Sequence, residues 1–224
     1  YMEKMLGECL DAGADGIHFD NIGMQSEPDA CHCQRCTRKF REYLQQKYGG
    51  GLGQELFGMS DFTHATVPWF NQHNTANTLK QATVPLQRAW IDFKCKVYAD
   101  ATNRLVDFIR SRKKNAFVEM NLMESDGFSP AFWRAVDYAL LMPKLEMVCD
   151  ERNNQEGLNK RGAIVGAYRA RKCARAFGCA HNSGIKPRQL AGQIADDLAF
   201  SNAPKTFWDK YNQFQLKSNS LAEV

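Results

Sequence analysis

The sequence predicts an α/β fold in which parallel strands alternate with helices. Three short apolar segments, over residues 15–20, 115–123 and 145–149, have the length of buried strands, and amphipathic helical segments separate them. Because parallel strands need a crossover connection, this alternation indicates a parallel sheet. With a weaker strand over residues 176–180, the pattern amounts to about four to five strand–helix units.

Helices are predicted from the spacing of apolar residues. The longest should cover residues 86–112, with a core stripe formed by Trp90, Phe93, Val97, Ala101, Leu105, Phe108 and Ile109. Shorter helices are expected over residues 1–12, 37–48, 130–141, 161–177, 187–201 and 207–216. Residues 50–82 carry no clear periodicity, and an irregular stretch of that length favours a functional loop.

A closed eight-stranded β/α barrel has about 250 residues and twice this number of units. The 224 residues therefore predict either an open α/β sheet or the C-terminal half to two-thirds of a barrel, as a single domain over residues 1–224. The chain opens on Tyr1-Met2-Glu3-Lys4-Met5-Leu6, a pattern typical of the middle of a helix. We therefore expect residues upstream, which favours the partial barrel and leaves the localisation undetermined.

Composition argues against two classes of partner. Lys and Arg total 29 against 25 for Asp and Glu, so the net charge is only +4 and does not indicate nucleic acid. No run of about 18 apolar residues is present to span a membrane. The apolar content of 44% and charged content of 24% are those of an ordinary soluble globular protein.

Acidic side chains end two of the predicted strands, where a β/α barrel places its active site. Asp20 follows the first strand, and Asp150 and Glu151 follow the third. A pair of carboxyl groups can cleave a glycosidic bond, because one protonates the leaving oxygen while the other attacks the anomeric carbon or activates water. We predict Asp20 as nucleophile or stabilising carboxylate and Glu151 as general acid/base, with Asp150 as its substitute. The alternative is that each acid caps a helix or forms a loop salt bridge.

Five further residues are predicted to bind the substrate. Glu119 and Asn121 lie on one face of the second strand and should act together, although Glu119 could instead pair with a buried Arg. Asn21 follows Asp20 and offers hydrogen bonds. Trp69 lies in the irregular loop, where its indole could stack on a sugar ring. His181 follows the weak strand and could line the mouth of the barrel.

Three other side chains suited to binding are predicted to be structural instead. His18 lies within the first strand, where a core histidine is the simpler interpretation. Trp133 and Trp208 lie in helical stretches and are expected to pack in the core.

Cys31, Cys33 and Cys36 fall within six residues and predict a structural zinc site. Disulfides within the cluster are disfavoured because they would close very tight loops. A tetrahedral zinc needs a fourth ligand, for which Cys9, His32 or a residue upstream of the chain are the candidates. The alternative is that the three thiols are free at the surface.

These residues resemble a known family. The strand ending in Asp20-Asn21, the sequence Cys-His-Cys-Gln-Arg-Cys over residues 31–36 and the following Arg-Lys-Phe-Arg-Glu-Tyr-Leu resemble glycoside hydrolase family 42 β-galactosidases and related barrel proteins of polysaccharide-degrading bacteria. The resemblance implies a (β/α)8 TIM-barrel fold, with this chain carrying about strands 4 to 8. It also implies an oligo- or polysaccharide substrate and zinc bound by the cysteine cluster, whose fourth ligand comes from earlier in the chain. A homo-oligomer and the absence of an organic cofactor complete the expectation.

The sequence departs from the family at one position. There the fourth strand ends in Asp-Asn-Glu, whose Glu is the general acid/base, whereas this chain has Asp20-Asn21-Ile22. Isoleucine cannot transfer a proton. Either Asp20 is itself catalytic, as in barrels resembling the α-galactosidase clan with the acid/base on strand six, or the protein binds glycans without cleaving them.

Overall fold

The computed structural model describes residues 1–20, 23–70, 84–122, 129–150, 157–158, 164–165 and 167–183. The helices are α1 (Met2–Asp11), α2 (Gln34–Tyr48), α3 (Gly51–Phe57), α4 (Pro85–Arg112), α5 (Ser129–Arg134), α6 (Tyr138–Leu141) and α7 (Ala167–Ala176), with a 3-10 turn at Met142–Lys144. The strands are β1 (Gly16–Phe19), β2 (Phe117–Leu122), β3 (Met147–Asp150), β4 (Gly157–Leu158), β5 (Ile164–Val165) and β6 (Ala180–Ser183).

The chain forms two compact units. The sheet unit takes its described residues from 1–22, 102–127 and 138–224, and the helical unit takes them from 23–101 and 128–137. Helix α4 contributes its first part to the helical unit and its last part to the sheet unit.

A four-stranded parallel sheet in the order β1-β2-β3-β6 forms the sheet unit, which confirms the predicted α/β class. Because all four strands are parallel, their carboxyl ends lie along the same edge. The register pairs His18 with Glu119 and Phe19 with Met120. Strands β4 and β5 form a separate antiparallel pair.

The sheet packs through one set of alternating residues. Val118, Met120 and Val148 have no exposed surface, and Ile109 of α4 is equally buried. Gly16 allows the tight approach of β1 to β2, because a Cβ there would lie 2.4 Å from the Phe117 carbonyl oxygen.

Aromatic side chains build the core of the helical unit around Trp90. Its ring lies 5.0 Å from that of Phe40, edge to face, and 5.3 Å from that of Phe93. The core also takes two buried side chains from the segment predicted as an irregular loop, Phe62 and Phe70. That segment contains helix α3, which the sequence analysis missed. The helix begins at Gly51 directly after two glycines, a pattern that usually marks the end of a helix.

The predicted stripe of α4 is wrong in its middle. Val97 is 40% exposed, and Ala101 is exposed as well. The prediction passed over other residues that are buried: Ile91, Cys95, Ala99, Thr102 and Val106. Residues spaced three and four apart lie on one continuous face of a helix. The prediction favoured large side chains and therefore selected residues beside this face.

Two boundaries differ for identifiable backbone reasons. The predicted helix over residues 130–141 is divided into α5 and α6, because Ala135 takes a positive φ of 57°. The predicted strand over residues 176–180 is instead a helix end and a turn at Gly178, whose φ is +71°, so β6 begins at Ala180. The helices predicted over 187–201 and 207–216 lie outside the described residues. Among the described helices, none has the length and apolarity to cross a bilayer.

Candidate active site and thiol cluster

Polar side chains from β1 and β2 meet at the carboxyl edge of the sheet. The Asn121 amide Nδ2 donates to Asp20 Oδ1 at 2.8 Å, and Asp20 immediately follows β1. Two residues earlier on each strand, His18 Nδ1 lies 3.3 Å from Glu119 Oε2. The parallel register places these four residues on one face, so the predicted partnership of Glu119 and Asn121 is present.

Two acceptor atoms in this group have no donor among the residues that the structure describes. Glu119 Oε1 and Asn121 Oδ1 are buried, and no described side chain or backbone group donates to either atom. Buried acceptors are nearly always paired, because an unsatisfied one costs about 1–3 kcal/mol. An arrangement that leaves two of them at a strand end suits a ligand that supplies hydroxyl donors.

The structure corrects the sequence analysis at Glu119 and at His18. The side chain of Glu119 pairs with His18, rather than with a buried Arg. His18 is no core residue, since 44% of its side chain is exposed. The sequence of β1 gave no sign of this, because a four-residue strand does not reveal which of its faces is covered.

The remaining predicted site residues are placed only in part. Asp150 is the last residue of β3 and pairs in register with Leu122 and Ser183. Glu151 and Asn21 lie outside the described residues, as does Ile22. His181 lies within β6 rather than after it, is 1% exposed and pairs in register with Val148. Strand alternation therefore places it on the face opposite to Glu119 and Asn121.

Trp69 carries its indole at the surface of the helical unit. The residue is 74% exposed, and its carbonyl oxygen accepts a hydrogen bond from Gln87 Nε2 at 2.7 Å. Trp133 packs against the aromatic core, as expected. Trp208 lies outside the described residues.

Cys31, Cys33 and Cys36 bring their sulfur atoms together at the start of α2. Sγ of Cys36 lies 3.7 Å from Sγ of Cys33 and 3.6 Å from Sγ of Cys31. With a Zn–S distance of about 2.3 Å, the edge of a tetrahedral thiolate site is about 3.8 Å, so this spacing fits zinc. Among the described residues, these three are the group of metal-binding side chains that lies close enough to hold an ion.

The cysteine thiols differ in their tendency to ionise. Hydrogen bonds from the backbone N–H of Cys36 and from the neighbouring thiols lower the pKa of Cys33 to about 7. Burial, together with the neighbouring sulfurs, raises the pKa of Cys36 to about 12. Cys33 is the N-cap residue of α2, where unpaired N–H groups favour a thiolate.

Glu27, in the segment that precedes the thiol cluster, has a buried carboxylate that the sequence analysis missed. Glu27 Oε1 accepts from Trp90 Nε1 at 2.6 Å and from Lys94 Nζ at 2.8 Å, and Oε2 accepts from His32 Nε2 at 2.9 Å. The Glu27 side chain is fully buried and that of Lys94 is 3% exposed. His32, a candidate fourth ligand, therefore commits Nε2 to Glu27. One feature of the sequence indicates a buried counter-ion: the charged Lys94 lies between the apolar residues Phe93 and Cys95.

Comparison with known proteins now gives the family. The family model of glycoside hydrolase family 42, described as beta-galactosidase, matches residues 15–164, which is more than half of the chain. The chain belongs to this family. The match includes the strand-end residues of β1 and β2 and the thiol cluster, and it confirms the resemblance stated from the sequence. A comparison with curated protein sequences finds no significant match.

Solved structures support the same fold at low identity. The beta-galactosidase of Bacillus circulans sp. alkalophilus matches with a TM-score of 0.50 and 15% identity over 82% of this chain and 26% of its own. That of the Antarctic haloarchaeon Halorubrum lacusprofundi gives 0.51 and 16% over 81% and 34%. The catalytic domain of a beta-amylase from Paenibacillus polymyxa gives 0.63 and 10% over 91% and 60%.

These glycosidases show that this family 42 chain shares their fold, and the chain spans only part of their lengths. It covers about a quarter of the Bacillus enzyme and a third of the haloarchaeal one.

Proposed function

We propose that this family 42 chain supplies catalytic carboxylates to a glycoside hydrolase, as about strands 4 to 8 of a β/α barrel. Asp20 is the nucleophile or the carboxylate that stabilises the charged transition state. Glu151 is the general acid/base, with Asp150 as its substitute. The observation that carries the proposal is the Asn121–Asp20 hydrogen bond of 2.8 Å, which fixes a carboxylate at the carboxyl edge of a parallel sheet.

Substrate binding in this proposal uses the buried acceptors of β2. Sugar hydroxyl groups would donate to Glu119 Oε1 and Asn121 Oδ1, to which no residue in the described ranges donates. Asn21 and the exposed indole of Trp69 complete the proposed ligands. The proposal does not extend to His181, which belongs to the opposite face of the sheet.

The test is turnover of a panel of nitrophenyl glycosides, with β-galactosides first, by the full-length protein and by Asp20→Ala. We expect a loss of at least about 100-fold, because Asp20 acts on the reacting centre. Thermal unfolding should show that the variant is folded. Retained activity in a folded variant would reject the assignment of Asp20.

A second candidate function is glycan binding without cleavage, which Ile22 favours because the family has its acid/base at that position. This reading expects oligosaccharide binding by calorimetry and no hydrolysis by the parent protein, even at high protein concentration. Binding that Asp20→Ala weakens, without turnover in the parent, would select it.

We also propose a structural zinc ion on Cys31, Cys33 and Cys36, with the fourth ligand unassigned. Elemental analysis of the full-length protein should give about one zinc per chain, and Cys33→Ser should lose most of it. Cys173→Ser is the matched control, since Cys173 is a partly exposed cysteine that lies outside the cluster and is not a candidate ligand. Parent protein with well under one zinc per chain would contradict the site.

A further inference from the structure

A histidine between two of the proposed zinc ligands is tied to the core of the helical unit. His32 lies between Cys31 and Cys33, and its Nε2 is 2.9 Å from Glu27 Oε2. We propose that His32 is a positioning residue, which holds the thiol cluster in the arrangement that zinc requires without itself binding the ion. The inference rests on the zinc site proposed above and deepens it, and it does not depend on whether the chain is a glycosidase.

Glu27 is a fixed point for His32, because α4 holds the other oxygen of its carboxylate. Oε1 accepts hydrogen bonds from Trp90 Nε1 at 2.6 Å and from Lys94 Nζ at 2.8 Å. The Glu27 side chain is fully buried, and its charge is compensated by that of Lys94. A buried carboxylate with donors on both oxygens has little freedom to turn. The hydrogen bond to His32 therefore fixes the imidazole relative to α4.

Trp90 contacts both sides of the thiol cluster. The His32 ring meets the indole edge to face, with ring centroids 5.5 Å apart. Phe40 of α2 meets the same indole edge to face at 5.0 Å. Cys36 precedes Phe40 by about one helical turn. The segment that carries the first two thiols and the helix that carries the third are thus both held against one buried side chain, which sets the separation of the three sulfur atoms.

Two observations make His32 an anchor rather than the fourth ligand. A histidine that binds zinc must direct one ring nitrogen at the ion. Nε2 of His32 is already occupied by Glu27. In addition, His32 is outside the group whose ligand atoms all lie within 4.8 Å of one another, which Cys31, Cys33 and Cys36 form. The imidazole is therefore committed to the core, and its effect on zinc is indirect.

Anchoring should raise the affinity for zinc because it lowers the cost of ordering the ligands. A loose segment between Cys31 and Cys33 would lose its backbone entropy at the moment the ion binds. A segment already held by Glu27 loses less, so more of the metal–thiolate energy appears as affinity. Removing a group that orients the ligands of a metal site typically weakens metal binding by about 10-fold to 100-fold.

The test is the zinc affinity of the full-length protein, measured by competition with a chromophoric chelator. His32→Ala removes the hydrogen bond to Glu27, and we expect zinc to bind about 10-fold to 100-fold more weakly. In His32→Gln the side-chain amide can still donate to Glu27, whereas an amide is not among the usual ligands of zinc. We therefore expect His32→Gln to recover most of the affinity that His32→Ala loses.

Gln34→Ala is the matched control, because Gln34 also adjoins Cys33 and is exposed. It should bind zinc as the parent does. Without metal, all three variants should unfold at nearly the same urea concentration as the parent, since Glu27 keeps Trp90 and Lys94 as donors in each. A difference confined to zinc affinity would therefore reflect positioning rather than a general loss of stability.

Three results would contradict the inference, and they differ from one another. A loss in His32→Gln as large as that in His32→Ala would mean that the imidazole is itself a ligand. Parent affinity in both variants would mean that the anchor has no effect on the site. Parent protein that takes up no zinc would contradict the proposed zinc site, and the role of His32 with it.

Discussion

Two glutamate–histidine pairs in this protein have the same composition and opposite surroundings. In the helical unit, Glu27 contacts His32 at 2.9 Å and also accepts hydrogen bonds from Trp90 and Lys94. In the sheet unit, Glu119 contacts His18 at 3.3 Å, and within the described part of the chain its second oxygen has no donor.

The difference separates a structural carboxylate from one suited to binding. A carboxylate with three donors from its own chain has little capacity left for a ligand, and its burial is compensated. A buried carboxylate oxygen with no donor is an energetic cost that a bound hydroxyl group would remove. The number of hydrogen bonds, rather than the residue type, therefore identifies Glu119 as the functional candidate.

Substitution of Glu27 by glutamine should lower the free energy of unfolding more than the other predicted substitutions. Glu27→Gln keeps the shape of the side chain but leaves the Lys94 ammonium, which is 3% exposed, without a counter-charge. We expect a loss of about 3 kcal/mol or more in the free energy of unfolding, measured with urea. The double variant Glu27→Gln/Lys94→Met is the control and should be more stable than Glu27→Gln, because it removes the stranded charge. Equal stability of parent and single variant would show that the network contributes nothing.

Glu119→Gln should have the opposite effect. It should change the stability of the fold little and weaken ligand binding more. Its single described contact is to a half-exposed histidine, so we expect less than about 1 kcal/mol of lost stability. Under the proposed function, loss of a charged acceptor for a sugar hydroxyl should weaken substrate binding by about tenfold to 100-fold. The measurement is KM or the dissociation constant of an oligosaccharide in the full-length protein. Unchanged binding would remove Glu119 from the site.

Local pattern predicts the secondary-structure elements of the sheet unit, although it does not predict the pairing of Glu119 with His18. The strand containing Glu119 was recognised from its apolar run, and the meeting of Asp20 with Asn121, 101 residues away, follows from the rule that parallel strands end at one edge. The long helix and the helix after the cysteines were also expected within a few residues of their bounds. These are features that spacing along the chain determines.

The Glu27 interactions depend on contacts that spacing does not reveal. Trp90 and Lys94 reach Glu27 across 63 and 67 residues of sequence. Glu27 precedes a proline in a polar stretch and resembles an ordinary loop acid. Only the packing of α4 makes it a buried counter-ion. The exposure of Val97 was missed for a related reason, since the face that a helix buries is chosen by its neighbours.

Asp15 tests whether burial, rather than short distance, makes the Glu27 interactions stabilising. Its carboxylate accepts from Lys113 Nζ at 2.6 Å, as short as any bond to Glu27, but its side chain is 97% exposed. The hydrogen bond and charge of Lys113 lower the pKa of Asp15. A carboxyl group with a lowered pKa stabilises the fold above its unfolded pKa, near 4, and loses that contribution as the pH falls through the folded value. Solvent screens this pair, so Asp15→Asn should leave the thermal midpoint at neutral pH unchanged within error, and any difference from the parent should vanish in acid. A loss approaching that of Glu27→Gln would mean that distance outweighs burial in this protein.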